Sequence, residues 1–473
     1  MLNRRGLIKL AGMGGATLAL PTGWLAADRR PAPGTEAPFS RPLHVPPVAR
    51  PTWRTANADY YDFTMAEHDV QLFPGVATKV QAYNGEFPGP IISARRGRPV
   101  IVRHRNHLAE PAVVHLHGGH VPSDSDGFPM DLIEPGGVRE YLYPNKQLGA
   151  TLWYHDHAHH VEAEHVYRGL AGLYLLDDEA EHAYGLPDGE YDVPIMLRDA
   201  QFDDSGQLVY TMEDFADRTT LLVNGRPRPH FQVAARKYRF RFVNSSNERA
   251  FGLTLADGAT MQLIGSDGGL LPAPVPARTF DLWPGERVEV VIDFSRYPLG
   301  TQLLLNNTYG EVDGTKSVLR FDVVRRAQDR SRVPSILRPL PDLGTPTVNR
   351  EVQFKLDLTT GMFTLDGKVF DPDRVDQQIK LKSTEIWTIR NADTRPAIPH
   401  NLHLHLVQYQ VLDRNGVAVG GHETGLKDTV TVPAGGVVRI KVRFTDYTGK
   451  FVYHCHMLDH SSMGMMGRMD IAP

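Results

Sequence analysis

A single cysteine, Cys455, occurs in 473 residues, which rules out a disulfide framework. Beyond the N-terminus, no apolar stretch reaches the roughly 20 residues that a helix needs to cross a bilayer. An excess of charge is also missing, since 51 Lys and Arg face 55 Asp and Glu for a formal net charge of -4. That balance offers no basic face for nucleic acid and no acidic tail. Helical periodicity is scarce as well. Turn formers are plentiful, with 43 Gly and 35 Pro beside a hydrophobic fraction of 41%, the mix of a soluble globular chain. The length points to about three domains.

At the start of the chain, Asn3-Arg4-Arg5-Gly6-Leu7-Ile8-Lys9 precedes a weakly apolar run from Leu10 to Leu20. The segment resembles a twin-arginine export signal, which carries proteins already folded around a cofactor. It implies a signal over 1–27, cleaved near Ala27, and a periplasmic or extracellular mature protein with no membrane span. A Pro- and Arg-rich arm follows over 28–53. In such a compartment a lone thiol is prone to oxidation unless it is buried or bound to a metal.

From Arg54 onward, short alternating or β-branched runs are bounded by Gly, Pro, Asn and Asp. Val100-Ile101-Val102, Val113-Val114-His115, Tyr238 to Val243, Val288 to Phe294, Val437 to Phe444 and Phe451-Val452-Tyr453 are examples. They predict an all-β chain of sandwich type, with short helices at Val161 to His165 and Asp177 to Tyr184. The pattern lapses at about Asp177 to Asp192 and at the Pro-rich Val324 to Asn349, giving units 54–178, 179–335 and 336–473.

The first and third units look like copies. Trp153-Tyr154-His155-Asp156-His157 corresponds to Val452-Tyr453-His454-Cys455-His456, and Gly169-Leu170-Ala171-Gly172 to Gly464-Met465-Met466-Gly467. His115-Leu116-His117 mirrors His403-Leu404-His405. Asp156 stands where Cys455 stands and Leu170 where Met465 stands, so only one copy carries sulfur ligands.

Ten of the 21 histidines fall in four clusters: His115 and His117; His155 and His157; His400, His403 and His405; His454, His456 and His460. Residues i and i+2 of a strand share a face, so each His-x-His pair can aim two imidazoles at one site. Imidazole alone does not select among copper, zinc, iron and nickel. Cys455 with His400, His460 and Met465 does, because two imidazoles, a thiolate and a weak thioether form the blue-copper set.

These motifs, in this order, together with Tyr83-Asn84-Gly85-Glu86-Phe87-Pro88-Gly89-Pro90 and Leu282-Trp283-Pro284-Gly285-Glu286-Arg287, resemble the multicopper oxidases over essentially the whole mature chain. The resemblance implies three cupredoxin-like Greek-key domains and four copper ions. His400, Cys455, His460 and Met465 would bind a type 1 copper. His115 and His403 would hold type 2 copper, and His117, His155, His157, His405, His454 and His456 two type 3 coppers, between the first and third domains. Electrons from a phenol, aminophenol, aromatic amine or tetrapyrrole would then reduce dioxygen to water. Asp126, eleven residues after His115, matches a carboxylate that helps deliver protons. The second domain would hold the outer two in register, and a monomer is expected.

Two departures stand out. Ser461 and Ser462 occupy the place where many bacterial relatives carry Glu after the second type 1 histidine; a hydroxyl relays a proton but is no source of one at neutral pH. Asn401 replaces the usual Pro after His400. His120, His159, His160 and His165 are taken as satisfied neighbours, and Met463, Met466 and Met469 as packing. No Met-rich insertion is present, which ranks Cu(I) oxidation below oxidation of organic compounds. A binuclear zinc hydrolase would want Asp where Gly119 stands and has no use for Cys455. A non-catalytic envelope protein of the same fold would have lost ligands, and none is missing.

Overall fold

Along Val437–Arg443, Val438, Ile440 and Val442 are buried while Arg439 and Arg443 face solvent in the computed structural model, which describes residues 37–212 and 215–473. This period of two marks a sheet with one face in a core. Val114–His117, Ala150–Asp156 and His400–Leu404 behave differently, because every residue in them is buried. A strand buried on both faces must touch a second body besides its own core, and these are the strands that carry the histidines.

Each of three units is a pair of sheets. In the first, Trp53–Arg54, Asp59–Phe73, Val100–Asn106 and Val138–Tyr143 pair in that order, with Val76–Tyr83 also on Asp59–Phe73. The second sheet runs Gly89–Arg95, Ala171–Asp177, Ala150–Asp156, Val114–His117. Tyr61, Val102 and Tyr141 from one and Val114, Leu152 and Tyr174 from the other close a single core. The second and third units each join a seven-stranded to a five-stranded sheet. The all-β expectation holds: the described residues contain only short helices, Glu162–Arg168, Asp313–Lys316 and Leu458–Ser462 among them. The helix expected at Val161 to His165 is the first of these. Asp177 to Tyr184 forms a 3-10 turn at Glu179–Tyr184.

The internal repeat is built into the pairing. Asp156 N donates to Leu170 O at 3.1 Å and Cys455 N to Met465 O at 3.0 Å. Tyr154 lies opposite Gly172 and Tyr453 opposite Gly467. A Cβ at either glycine would fall 2.3 Å or 2.6 Å from the tyrosine Cζ, so each position takes only Gly.

The expected signal, 1–27, lies outside the described residues. Of the 28–53 arm, the described part is a strap rather than a free linker. Leu43 N donates to His230 O of the second unit and Ala49 N to Ile91 O of the first, at 2.7 and 2.8 Å. The Pro-rich connector is also pinned, since Arg338 donates to Gly149 O and to the carbonyl of Gly268.

The three units meet at Arg287, which has no exposed surface. Its guanidinium donates to Thr151 O of the first unit at 2.9 Å, to Gly285 O and Asp267 O of its own, and to both carboxylate oxygens of Asp428 in the third, at 2.6 and 2.5 Å. Truncating one member of a buried pair leaves the other charge uncompensated. Arg287→Ala is expected to cost about 3–5 kcal/mol, read as a lower denaturant midpoint. Arg103→Ala, at a half-exposed pair with Glu140, should change stability by less than about 1 kcal/mol.

Candidate metal centre

Antiparallel registration sets the histidines against one another. His115 pairs with His155 across Val114–His117 and Ala150–Asp156, and His403 with His454 across His400–Leu404 and Gly449–Cys455. Alternation turns the second member of each His-x-His the same way. The two strand pairs abut, and eight imidazoles from the first and third units converge.

They sort into three groups whose nitrogens lie within 4.8 Å of one another: His115 with His403, sharing His117; His117, His155 and His456; and His157, His405 and His454. His115 Nε2 and His403 Nε2 are 3.3 Å apart, and His157 Nε2 stands 3.2 Å from Nε2 of both His405 and His454. His117 is turned the other way, with Nδ1 3.0 Å from His456 Nε2 and Nε2 3.0 Å from Asp428 Oδ1. The nitrogens facing away are held: His115 Nδ1 by Asp126 O, His403 Nδ1 by Asp428 O, His155 Nδ1 by Asp156 O and His454 Nδ1 by Cys455 O, at 2.6 to 2.9 Å.

Burial, then the neighbouring rings, hold His115, His117, His403, His405 and His456 well below the usual imidazole range, and His155 drops to about 3. These rings are therefore neutral, the form in which they ligate, whereas at His157 the opposing effect of burial is outweighed by the carboxylate of Glu162, which shifts that ring upward. His155 Nε2 is buried without a hydrogen-bond partner, a cost that a metal ion removes.

The sulfur site lies apart. Cys455 Sγ is 3.7 Å from Nδ1 of both His400 and His460, which are 3.1 Å from each other. Met465 is fully buried in the same apolar cluster. Burial pushes the Cys455 thiol up, so a thiolate there requires a metal to displace the proton. Phe354 stacks on His400 and Phe363 on His460, and Asp393 Oδ2 fixes His400 Nε2 at 2.8 Å. His454 and His456 flank Cys455 in the chain, so one backbone joins the sulfur site to both three-histidine groups. Thiolate with thioether selects copper over zinc.

In the first unit, Asp156 replaces the thiolate and accepts from Val113 N and Ala158 N at 3.0 Å. His165 pairs with it and with Glu110, and His120 with Asp446 and Leu406 O, so both are engaged away from the cluster. His159 stacks on His160, and Met466 packs with Phe128 and Phe370. Asn401, the departure from Pro, donates to Pro284 O at 2.7 Å and leaves His400 in place.

Sequence reasoning missed several residues. Glu162, fully buried, puts Oε2 2.8 Å from His157 Nδ1. Asp428 with Arg287 holds His117. Gly285, at φ 85°, lets the second unit approach, and a Cβ there would sit 2.9 Å from the His456 ring. Only Gly285 and Arg287 carried a signal, inside the Trp283-Pro284-Gly285-Glu286-Arg287 motif.

Family signatures described as multicopper oxidase match residues 64–181, 192–316 and 340–473. The chain belongs to the multicopper oxidase family. It is 37% identical to a laccase of Bacillus stratosphericus over 92% of this chain and 99% of that one. It is 36% identical to the bilirubin oxidase of Albifimbria verrucaria over 90% and 80%. The crystal structure of a laccase from Pediococcus acidilactici superposes with a TM-score of 0.86 at 32% identity, covering 92% of this chain and 95% of the other. The oxidase is thus a copper-dependent oxidoreductase with dioxygen as acceptor, built from three cupredoxin-like domains. Cys455→Ser is expected to abolish the thiolate-to-copper colour while leaving a folded protein by circular dichroism. A blue band of unchanged intensity would remove Cys455 from the sulfur site.

Proposed function

We propose that the oxidase takes electrons from a phenol, aminophenol, aromatic amine or tetrapyrrole and holds four copper ions. His400, Cys455, His460 and Met465 hold the type 1 ion and His115 with His403 the type 2 ion. His117, His155 and His456, and His157, His405 and His454, hold the type 3 pair. Bound copper supplies one-electron redox chemistry, four electrons of which reduce dioxygen to water. The observation that carries this reading is the sorting of eight imidazoles into a pair and two triads, tied to a separate sulfur site through Cys455.

Electron entry falls to His460, which retains 8% exposure while the other copper-binding side chains retain 0 or 1%. Asp393, which bonds to the other type 1 histidine, His400, also borders an open cavity of about 240 Å³ with Leu356 and Pro396. A small organic reductant is supported by the names of the laccase and bilirubin oxidase relatives. From Cys455 the covalent path runs one residue either way, to His454 and His456.

Asp126 is the proton carrier. Its Oδ2 holds His405 Nδ1 at 2.7 Å, its Oδ1 is buried without a hydrogen-bond partner, and burial pushes the carboxyl up to about 8. It therefore keeps a proton at neutral pH that it can give up beside the cluster. Export by the twin-arginine route to the periplasm or beyond, as a monomer, completes the reading, supported by Arg4-Arg5.

A visible spectrum with copper per chain, then oxygen uptake with a phenol, an aminophenol, bilirubin and Cu(I) in turn, tests the proposal. An intense blue band with about four coppers is expected, with faster uptake on an organic donor than on Cu(I). A colourless or zinc-loaded protein would overturn it. Asp126→Asn is expected to slow reoxidation by oxygen about 10²–10⁴-fold and to leave reduction of the blue copper unchanged. Equal reoxidation rates would take Asp126 out of proton transfer.

A further inference from the structure

Three carboxylates stand behind the eight imidazoles, and they are not distributed evenly. Asp428 backs His117, in the His117–His155–His456 triad, but its charge is taken up by the two-pronged contact with Arg287. Asp126 and Glu162 both back the other triad. Asp126 Oδ2 is 2.7 Å from His405 Nδ1 and Glu162 Oε2 is 2.8 Å from His157 Nδ1. Both carboxylates have no exposed surface, and among the described residues neither forms an ion pair with Lys or Arg. A buried carboxylate is costly unless paired; the ionic partner of Glu162 among the described residues is His157, and through that imidazole it faces the metal position. A carboxylate behind a ligating histidine fixes the ring and raises its basicity.

Glu162 also answers the departure seen at Ser461. It comes from the first turn of Glu162–Arg168 in the first domain, which packs on Leu458–Ser462 of the third, where the Ser461 hydroxyl lies 3.3 Å from His454 Nδ1. The acid on this side is supplied by another element of the fold.

We propose that Glu162 makes the His157–His405–His454 position the more tightly held of the two three-histidine copper positions, so that the pair is electrostatically unequal. Glu162 is a positioning residue here, acting through His157, and the inference rests on the ligand assignment above.

The test uses the copper-loaded oxidase, stripped stepwise with a chelator, with the occupancy of each position read by anomalous diffraction and the blue band followed in parallel. In the parent, the His117–His155–His456 position is expected to empty first. Glu162→Gln keeps the size and removes the charge; affinity at the His157–His405–His454 position should fall about 10–100-fold, with the blue band retained. The exchange Glu162→Ser with Ser461→Glu returns a carboxylate to the same space and should restore the parental order. A parent that loads fully but empties both positions together, or a Glu162→Gln protein with the parental order, overturns this inference alone. A parent that binds no copper at these histidines overturns the ligand assignment as well.

Discussion

Two antiparallel registers, His115 opposite His155 and His403 opposite His454, are the constraint on which the centre depends. Because strand side chains alternate with a period of two, a slip of one residue would turn a whole His-x-His pair away from its partners. The registers are held by features outside the histidines. Tyr154 over Gly172 and Tyr453 over Gly467 admit no other residue at the glycines. Complete burial of Val114–His117, Ala150–Asp156 and His400–Leu404 then locks the faces, since one packs on its own core and the other on a second body.

The middle domain donates no ligand, yet it is part of the centre. Arg287 reaches Asp428, and Asp428 keeps the proton of His117 on Nε2, leaving Nδ1 for the cluster. Gly285 allows this domain to lie against the His456 and His117 rings, and Asn401 bonds back to Pro284. Holding the outer domains in register and orienting a ligand are thus one set of contacts.

Electrostatics divides the site into regions with different demands. Most of the imidazoles are kept neutral by burial, His157 beside Glu162 being the exception. The thiol must lose its proton only when a metal arrives, and burial achieves that too. Asp126 sits in the same dry interior and keeps a proton near neutral pH for the same reason. One low-dielectric environment therefore prepares ligands, thiol and acid together.

The sequence by itself determined the ligand types, their strand placement, the repeat and the choice of copper, because i, i+2 spacing and the Cys455–Met465 motif are local chemistry. The resemblance named the six type 3 histidines only as one set, and their division into His117, His155 and His456 and into His157, His405 and His454 came from the structure. Only the tertiary structure decided which nitrogen each ring presents, that the arm is a strap, and that Glu162 and Arg287 stand behind the ligands. Glu162 lies next to Ser461 in space but 299 positions away along the chain. A helix residue followed by Ala163 and Glu164 carries no mark of its partner. Contacts between domains arise from how separately folded sheets dock, and that docking leaves no periodicity in the chain to be read.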